Sequence, residues 1–121
     1  MEKSVLKNKS YEFAIRIVKL SKFLQNEQKE YILSKQILRS GTAIGALLRE
    51  AEFAQGTADF IHKMHISLKE ANETEYWLCI LKDTEYLEIR LFESLHSEVK
   101  ELIAMLVSSI KTLKSKTKSG K

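Results

Sequence analysis

The chain has 121 residues, one cysteine, no proline and a formal net charge of +4. That length suits one domain with its own core, and a single cysteine excludes an internal disulfide. The opening Met-Glu-Lys-Ser-Val-Leu-Lys lacks the apolar run of a secretory signal, and the longest apolar stretch, Ala43–Leu48, is far too short to span a bilayer, so a cytoplasmic protein with no membrane partner is expected.

The first helical period covers about residues 10–24. At 100° per residue, Phe13, Ile17, Leu20 and Leu24 make one apolar stripe. Tyr11, Ala14, Ile15 and Val18 make a second, nearly opposite. Glu12, Arg16 and Lys19 keep only a narrow polar strip. A helix apolar on two faces is expected to be covered on both, once by the bundle core and once by another subunit.

The second period covers about 30–55, with Leu33, Ile37, Ser40, Ile44, Leu48 and Ala51 on its main face. Gly41 and Gly45 each cost about 1 kcal/mol of helix propensity relative to alanine. Close approach of a neighbouring backbone is the expected compensation, because no strand-to-helix phosphate-loop context surrounds them. Gly56 reads as the C′ stop of this helix and Thr57 as the N-cap of the next.

The third period covers about 57–83. Phe60, Met64, Ser67, Ala71, Thr74, Leu78 and Leu81 keep four–three spacing, a bundle seam with small residues at its middle. A second stripe mixes Ile66, Glu70, Glu73, Trp77 and Ile80, placing two carboxylates among apolar side chains. The fourth period, about 90–113, repeats through Phe92, Leu95, Val99, Leu102, Leu106 and Ile110.

Residues 114–121 read as a basic, disordered tail. Lys111, Lys114, Lys116, Lys118 and Lys121 follow Ile110 with no acid among them; the other 15 basic residues face 16 acidic ones, so the body stands at −1. The basicity belongs to this end of the chain, and its five lysines are the candidate nucleic-acid contacts. Short connections place consecutive helices antiparallel. The expected architecture is all-α: residues 1–113 as an antiparallel up-down-up-down four-helix bundle.

Folding the second and third helices back on each other at Gly56 sets Arg39 level with Glu73 and Gln36 level with Tyr76. Arg39, Glu70, Glu73 and Trp77 are therefore expected to form an inter-helix or inter-subunit pairing device, with a partly buried Arg–Glu pair at its centre. Asp59-x-x-His62 and Glu93-x-x-His96 have the carboxylate-x-x-His spacing of di-iron bundles, and His62-x-x-His65 adds another pair. With Phe60, Met64, Phe92 and Leu95 inward, these groups turn outward or to the margin, and the first helix adds no inward glutamate. Cys79 reads as a buried small hydrophobe. No nucleophile elbow, Ser-His-Asp order or phosphate loop is present. No catalytic residue, cofactor or metal is expected, and the protein reads as a non-enzyme.

From about Lys9 to Lys114 the chain resembles the four-helix bundle proteins encoded in intervening sequences of bacterial 23S ribosomal RNA genes. The resemblance rests on Tyr11-Glu-Phe-Ala-Ile-Arg-Ile-Val18, Gln36-Ile-Leu-Arg39-Ser40 with Ile44, Asp59-Phe60, Leu68-Lys-Glu70-Ala-Asn-Glu73-Thr-Glu-Tyr76-Trp77-Leu78 and Glu101-Leu-Ile-Ala-Met-Leu106, in that order. Where many members carry an asparagine in the second helix, this chain has Leu47. The resemblance implies an antiparallel bundle that assembles into rings of five. It also implies kinship with the accessory variability determinant of diversity-generating retroelements, a basic partner of a reverse transcriptase and its RNA. The resulting expectation is a homo-oligomeric scaffold, a pentamer by resemblance, associated with RNA or a nucleic-acid-processing protein. The alternative is a structural oligomer or protein-interaction module without nucleic acid.

Overall fold

The computed structural model describes residues 2–119, with side-chain environments for residues 5–116. Four helices make up the described chain: α1 (Glu2–Asn26), α2 (Leu33–Ala51), α3 (Thr57–Asp83) and α4 (Ile89–Ser119). Each packs only on its neighbours in the cycle α1, α2, α3, α4, so α1 lies diagonal to α3 and α2 to α4.

Cross-helix contacts give the direction of each packed pair. Between α2 and α3, Arg39 meets Glu73, Ser40 meets Thr74, Ile44 meets Ser67, and Glu50 meets Lys63. From the first two pairs to the last two, numbers rise on α2 as they fall on α3, which is antiparallel packing. The same holds for Lys7–Glu52 and Ser21–Ser34 between α1 and α2, and for Lys9–Glu101 and Arg16–Ser94 between α1 and α4.

The core is the set of stripes that periodicity picks out. Phe13, Ile17, Leu20 and Leu24 of α1 meet Ile37, Ile44 and Leu48 of α2, Met64, Ala71, Leu78 and Leu81 of α3, and Phe92 through Ile110 of α4. Leu6 is also buried, extending the α1 seam by two steps of four and three through Ser10. α1 begins at Glu2 rather than near residue 10, and its buried stripe runs on to Leu6, past the point where polar N-terminal residues dilute the pattern.

The glycine expectation holds at α1 and α2. A Cβ on Gly41 would lie 2.8 Å from Ile17 Cγ2, and one on Gly45 would lie 3.0 Å from Ser10 Oγ. The middles of α2 and α3 are equally close. Ser67 Oγ reaches across to the Ile44 carbonyl oxygen at 2.9 Å, and Thr74 Oγ1 lies 2.9 Å from Ser40 Oγ and 2.8 Å from the Glu70 carbonyl oxygen. Among the described residues, no buried side-chain nitrogen or oxygen lacks a partner.

Helix ends depart from the expected boundaries for local reasons. α2 starts at Leu33, not residue 30, because the Glu30 carboxylate accepts the N–H groups of Ile32, Leu33 and Ser34 at 3.2, 3.0 and 2.7 Å. Glu30 is thus the cap rather than the first turn. α2 ends at Ala51, not 55, tightening through i→i−3 bonds from Glu52, Phe53 and Ala54. Gly56 has φ of 173° and ψ of 178°, an extended conformation. It is therefore the N-cap of α3 rather than a left-handed stop for α2, and Thr57 is the first helical residue. α3 ends in a Schellman motif: Tyr86 N–H donates to the Leu81 carbonyl at 2.9 Å and Glu85 N–H to that of Lys82 at 3.0 Å. Glu85, where glycine is usual, has φ of 68°.

α4 does not stop at residue 113. It continues to Ser119, carrying the residues from Lys114 onward in helix. No glycine or proline interrupts them, and lysines near a helix C-terminus complement its dipole.

Candidate functional site

The α2/α3 flank brings the expected residues together. Arg39 projects from α2 beside buried Ser40; Glu70, Glu73 and Trp77 follow one another along α3 at helical spacing. Arg39 Nη1 donates to Glu70 Oε1 and Oε2 at 3.1 and 3.3 Å, and its Nη2 donates to Glu73 Oε2. Trp77 Nε1 donates to that same Glu73 oxygen at 3.2 Å. Tyr76 sits edge-on to Trp77, with ring centroids 5.1 Å apart, and is itself exposed.

Burial within the cluster is uneven. Side-chain exposure is 12% for Glu70, 30% for Glu73 and 51% for Arg39. The expected partly buried pair is a largely buried Glu70 carboxylate and a more open Glu73, both covered by a half-exposed guanidinium, which lets water reach the cation. The Arg39 hydrogen bond, followed by that of Trp77, holds the Glu73 carboxyl below the usual carboxylate range despite desolvation. The Glu73 hydrogen bond likewise raises Arg39 above its ordinary value, so this cation stays charged. The cluster is a saturated ion-pair network, in which each charge meets an opposite one.

Lys111, Lys114 and Lys116 are exposed along the end of α4. The side chain of Lys118 and all of Lys121 lie outside the described residues. On α1, Tyr11, Ile15 and Val18 are 61%, 41% and 36% exposed, an apolar strip on the outer face that this chain does not cover.

Of the carboxylate-x-x-His pairs, none forms a ligand set by itself. His62, His65 and Glu93 are exposed, and Asp59 accepts the Gln55 N–H at 3.3 Å. His96 faces α3 instead, its Nε2 lying 2.9 Å from Glu75 Oε2. Its ring stacks on Phe92, centroids 4.9 Å apart. The third member is Cys79, one turn beyond Glu75, so that carboxylate, thiol and imidazole donor atoms all lie within 4.8 Å of one another. All three residues are half-buried; Cys79 packs against the core as a small hydrophobe would, but is not fully buried. Glu75 and Cys79 escape a search for contiguous motifs. The available signal is a carboxylate and a thiol four apart on α3, level with a histidine across the α3–α4 turn.

Among the described residues, no helix is long and apolar enough to cross a membrane. A sequence profile of the 23S rRNA-intervening sequence protein family matches residues 2–108. A crystal structure of a protein of unknown function from the S23 ribosomal protein family of Bacteroides thetaiotaomicron is 59% identical. The match covers 92% of this chain and 99% of that one, with a TM-score of 0.90. No curated protein matches the chain.

Proposed function

The chain belongs to the 23S rRNA-intervening sequence protein family, and from that premise we propose that it is a non-catalytic scaffold that assembles with copies of itself and contacts RNA through the lysine-bearing end of α4. The observation that carries this reading is the exposed apolar strip Tyr11–Ile15–Val18 on α1. Such a strip on a helix whose opposite face already fills the core is interface material. A ring needs two different faces on each subunit. Exposed Tyr76 beside half-buried Trp77, on diagonal α3, supplies a second, different face. The family resemblance favours a ring of five.

The RNA contact is supported by the exposed Lys111, Lys114 and Lys116 and by a body without net positive charge. Assembly would gather several such ends, so weak phosphate contacts would add by avidity. Arg39, Glu70 and Glu73 pair within one chain and act in this reading as a brace that holds the Tyr76–Trp77 face in place.

Light scattering tests the assembly: an oligomer is expected at micromolar concentration, and Ile15→Glu with Val18→Glu should reduce it to monomers. A monomeric parent protein overturns the scaffold reading. Polarisation of labelled single-stranded RNA tests the second part. Affinity should fall steeply with salt through counterion release, and deleting 114–121 should weaken it strongly at unchanged oligomer size. Undiminished affinity after truncation moves the contact to the body; no binding at low salt leaves a structural oligomer without nucleic acid.

A further inference from the structure

Glu75, Cys79 and His96 bring a carboxylate, a thiol and an imidazole together on the flank where α3 packs against α4. We propose that these three residues form a zinc-binding site that clips α3 to α4, a property independent of the scaffold reading. Cys79 follows Glu75 by four residues, so both project from one face of α3. His96 comes from the antiparallel neighbour and is already in contact, its Nε2 lying 2.9 Å from Glu75 Oε2. All three donor atoms lie within 4.8 Å of one another. Around tetrahedral zinc, such sulfur, nitrogen and oxygen donors stand roughly 3.3–3.6 Å apart, so side-chain rotations without helix movement close the set.

The donor types select the ion. A thiolate disfavours calcium and magnesium, which take oxygen ligands, whereas zinc accepts sulfur, nitrogen and carboxylate oxygen together. Stacking on Phe92 holds the His96 ring plane. On binding, the Cys79 thiol releases its proton to solvent and its sulfur bonds the metal; the His96 imidazole binds through a nitrogen that carries no proton, the ring's N–H proton sitting on the other nitrogen, and the carboxylate, its hydrogen bond from His96 given up, donates a lone pair. Three protein ligands leave a fourth position for water, and half-burial gives the ion a path in. The opposing feature is Lys100, whose ammonium lies 3.8 Å from Glu75 Oε2. Its side chain is 56% exposed and can swing away into solvent.

The full-length protein is titrated with cobalt(II), whose thiolate bond gives a near-ultraviolet charge-transfer band, and then with zinc. One cobalt per chain is expected, with a thiolate band that zinc abolishes. Cys79→Ser should remove the band, His96→Ala should weaken binding at least tenfold, and Lys100→Met should tighten it. His62→Ala with His65→Ala should change nothing. Zinc should also slow alkylation of Cys79 in the unmutated protein at least about tenfold, because the bound sulfur is no longer a free nucleophile. This readout holds even if a variant misfolds. Absence of a thiolate band in the parent protein, a band that survives Cys79→Ser, binding lost with His62 and His65, or unslowed alkylation each overturns the site.

Discussion

The two flanks of α3 solve the same packing problem in opposite ways. Toward α2 the seam is built from small residues, Ser40, Ser67, Ala71 and Thr74, and hydroxyls bridge the helices at 2.9 Å. Toward α4 the facing residues are large and apolar, from Phe92 through Leu95, Val99, Leu102 and Leu106 to Ile110. The outer edges differ as well. On the α2 edge an arginine covers two carboxylates, and on the α4 edge a carboxylate meets a histidine and a thiol, with a lysine at the limit of ion-pair range. One flank is held by close approach and saturated charge. The other is held by apolar volume, and its donors remain able to take a further ligand.

The contrast breaks most sharply if volume is changed. Leu102→Ala, on the fully packed α4 face, should cost about 2–5 kcal/mol by leaving a cavity, read from denaturant midpoints. Where α2 turns its other side to α1, the sensitivity is to added volume. Gly41→Ala should cost about 1–2 kcal/mol, although alanine is the better helix former by about 1 kcal/mol. Ile17 is fully buried and, being β-branched in a helix, has little rotamer freedom with which to yield. A stabilised Gly41→Ala protein would show that α1 and α2 are less close than the geometry states.

The ion-pair edge should matter less. Arg39→Met should cost about 1 kcal/mol, chiefly because Glu70 is left nearly buried without its cation; exposed pairs alone are worth less. The effects of Arg39→Met and Glu73→Gln should be less than additive, since they share one bond. The pH dependence has a definite sign. Glu73 is held below its ordinary range in the folded state. Its contribution is therefore present above the unfolded pKa, about 4.3, and lost as pH falls through the folded value. Glu73→Gln should flatten the loss of stability below about pH 4.3, as read from melting temperatures across that range. The smallest effect is expected at the α3–α4 turn. Glu85→Gly should stabilise by up to about 1 kcal/mol, because φ of 68° suits glycine better than any L side chain.

Much of the bundle is legible in residue order. The stripes on all four helices predict which side chains are buried, and the fold-back at Gly56 predicts that Arg39 meets Glu73. The helix ends are less legible. Leu6 stands with only Val5 in a polar stretch, and Glu30 acts as a cap from three residues before the first helical one, which no propensity encodes. The α4 extension beyond residue 113 was hidden by a lysine-rich composition that suits both a tail and a helix C-terminus.

Residue order alone settles the set of faces: 3.6-residue periodicity sorts side chains into core, seam and surface before any helix meets another. Which surface groups meet across helices depends on the packed bundle. Arg39 could have been buried with its partners, yet the seam leaves it half-exposed over a largely buried Glu70. Cys79 and His96 lie on different helices, seventeen residues apart in sequence. The antiparallel register of α3 and α4, together with the rotation of each helix about its axis, brings thiol, imidazole and the Glu75 carboxylate to one place. Periodicity fixes a side chain's direction on its own helix, but a three-residue cluster depends on the relative phase of two helices, which is set by how their cores pack.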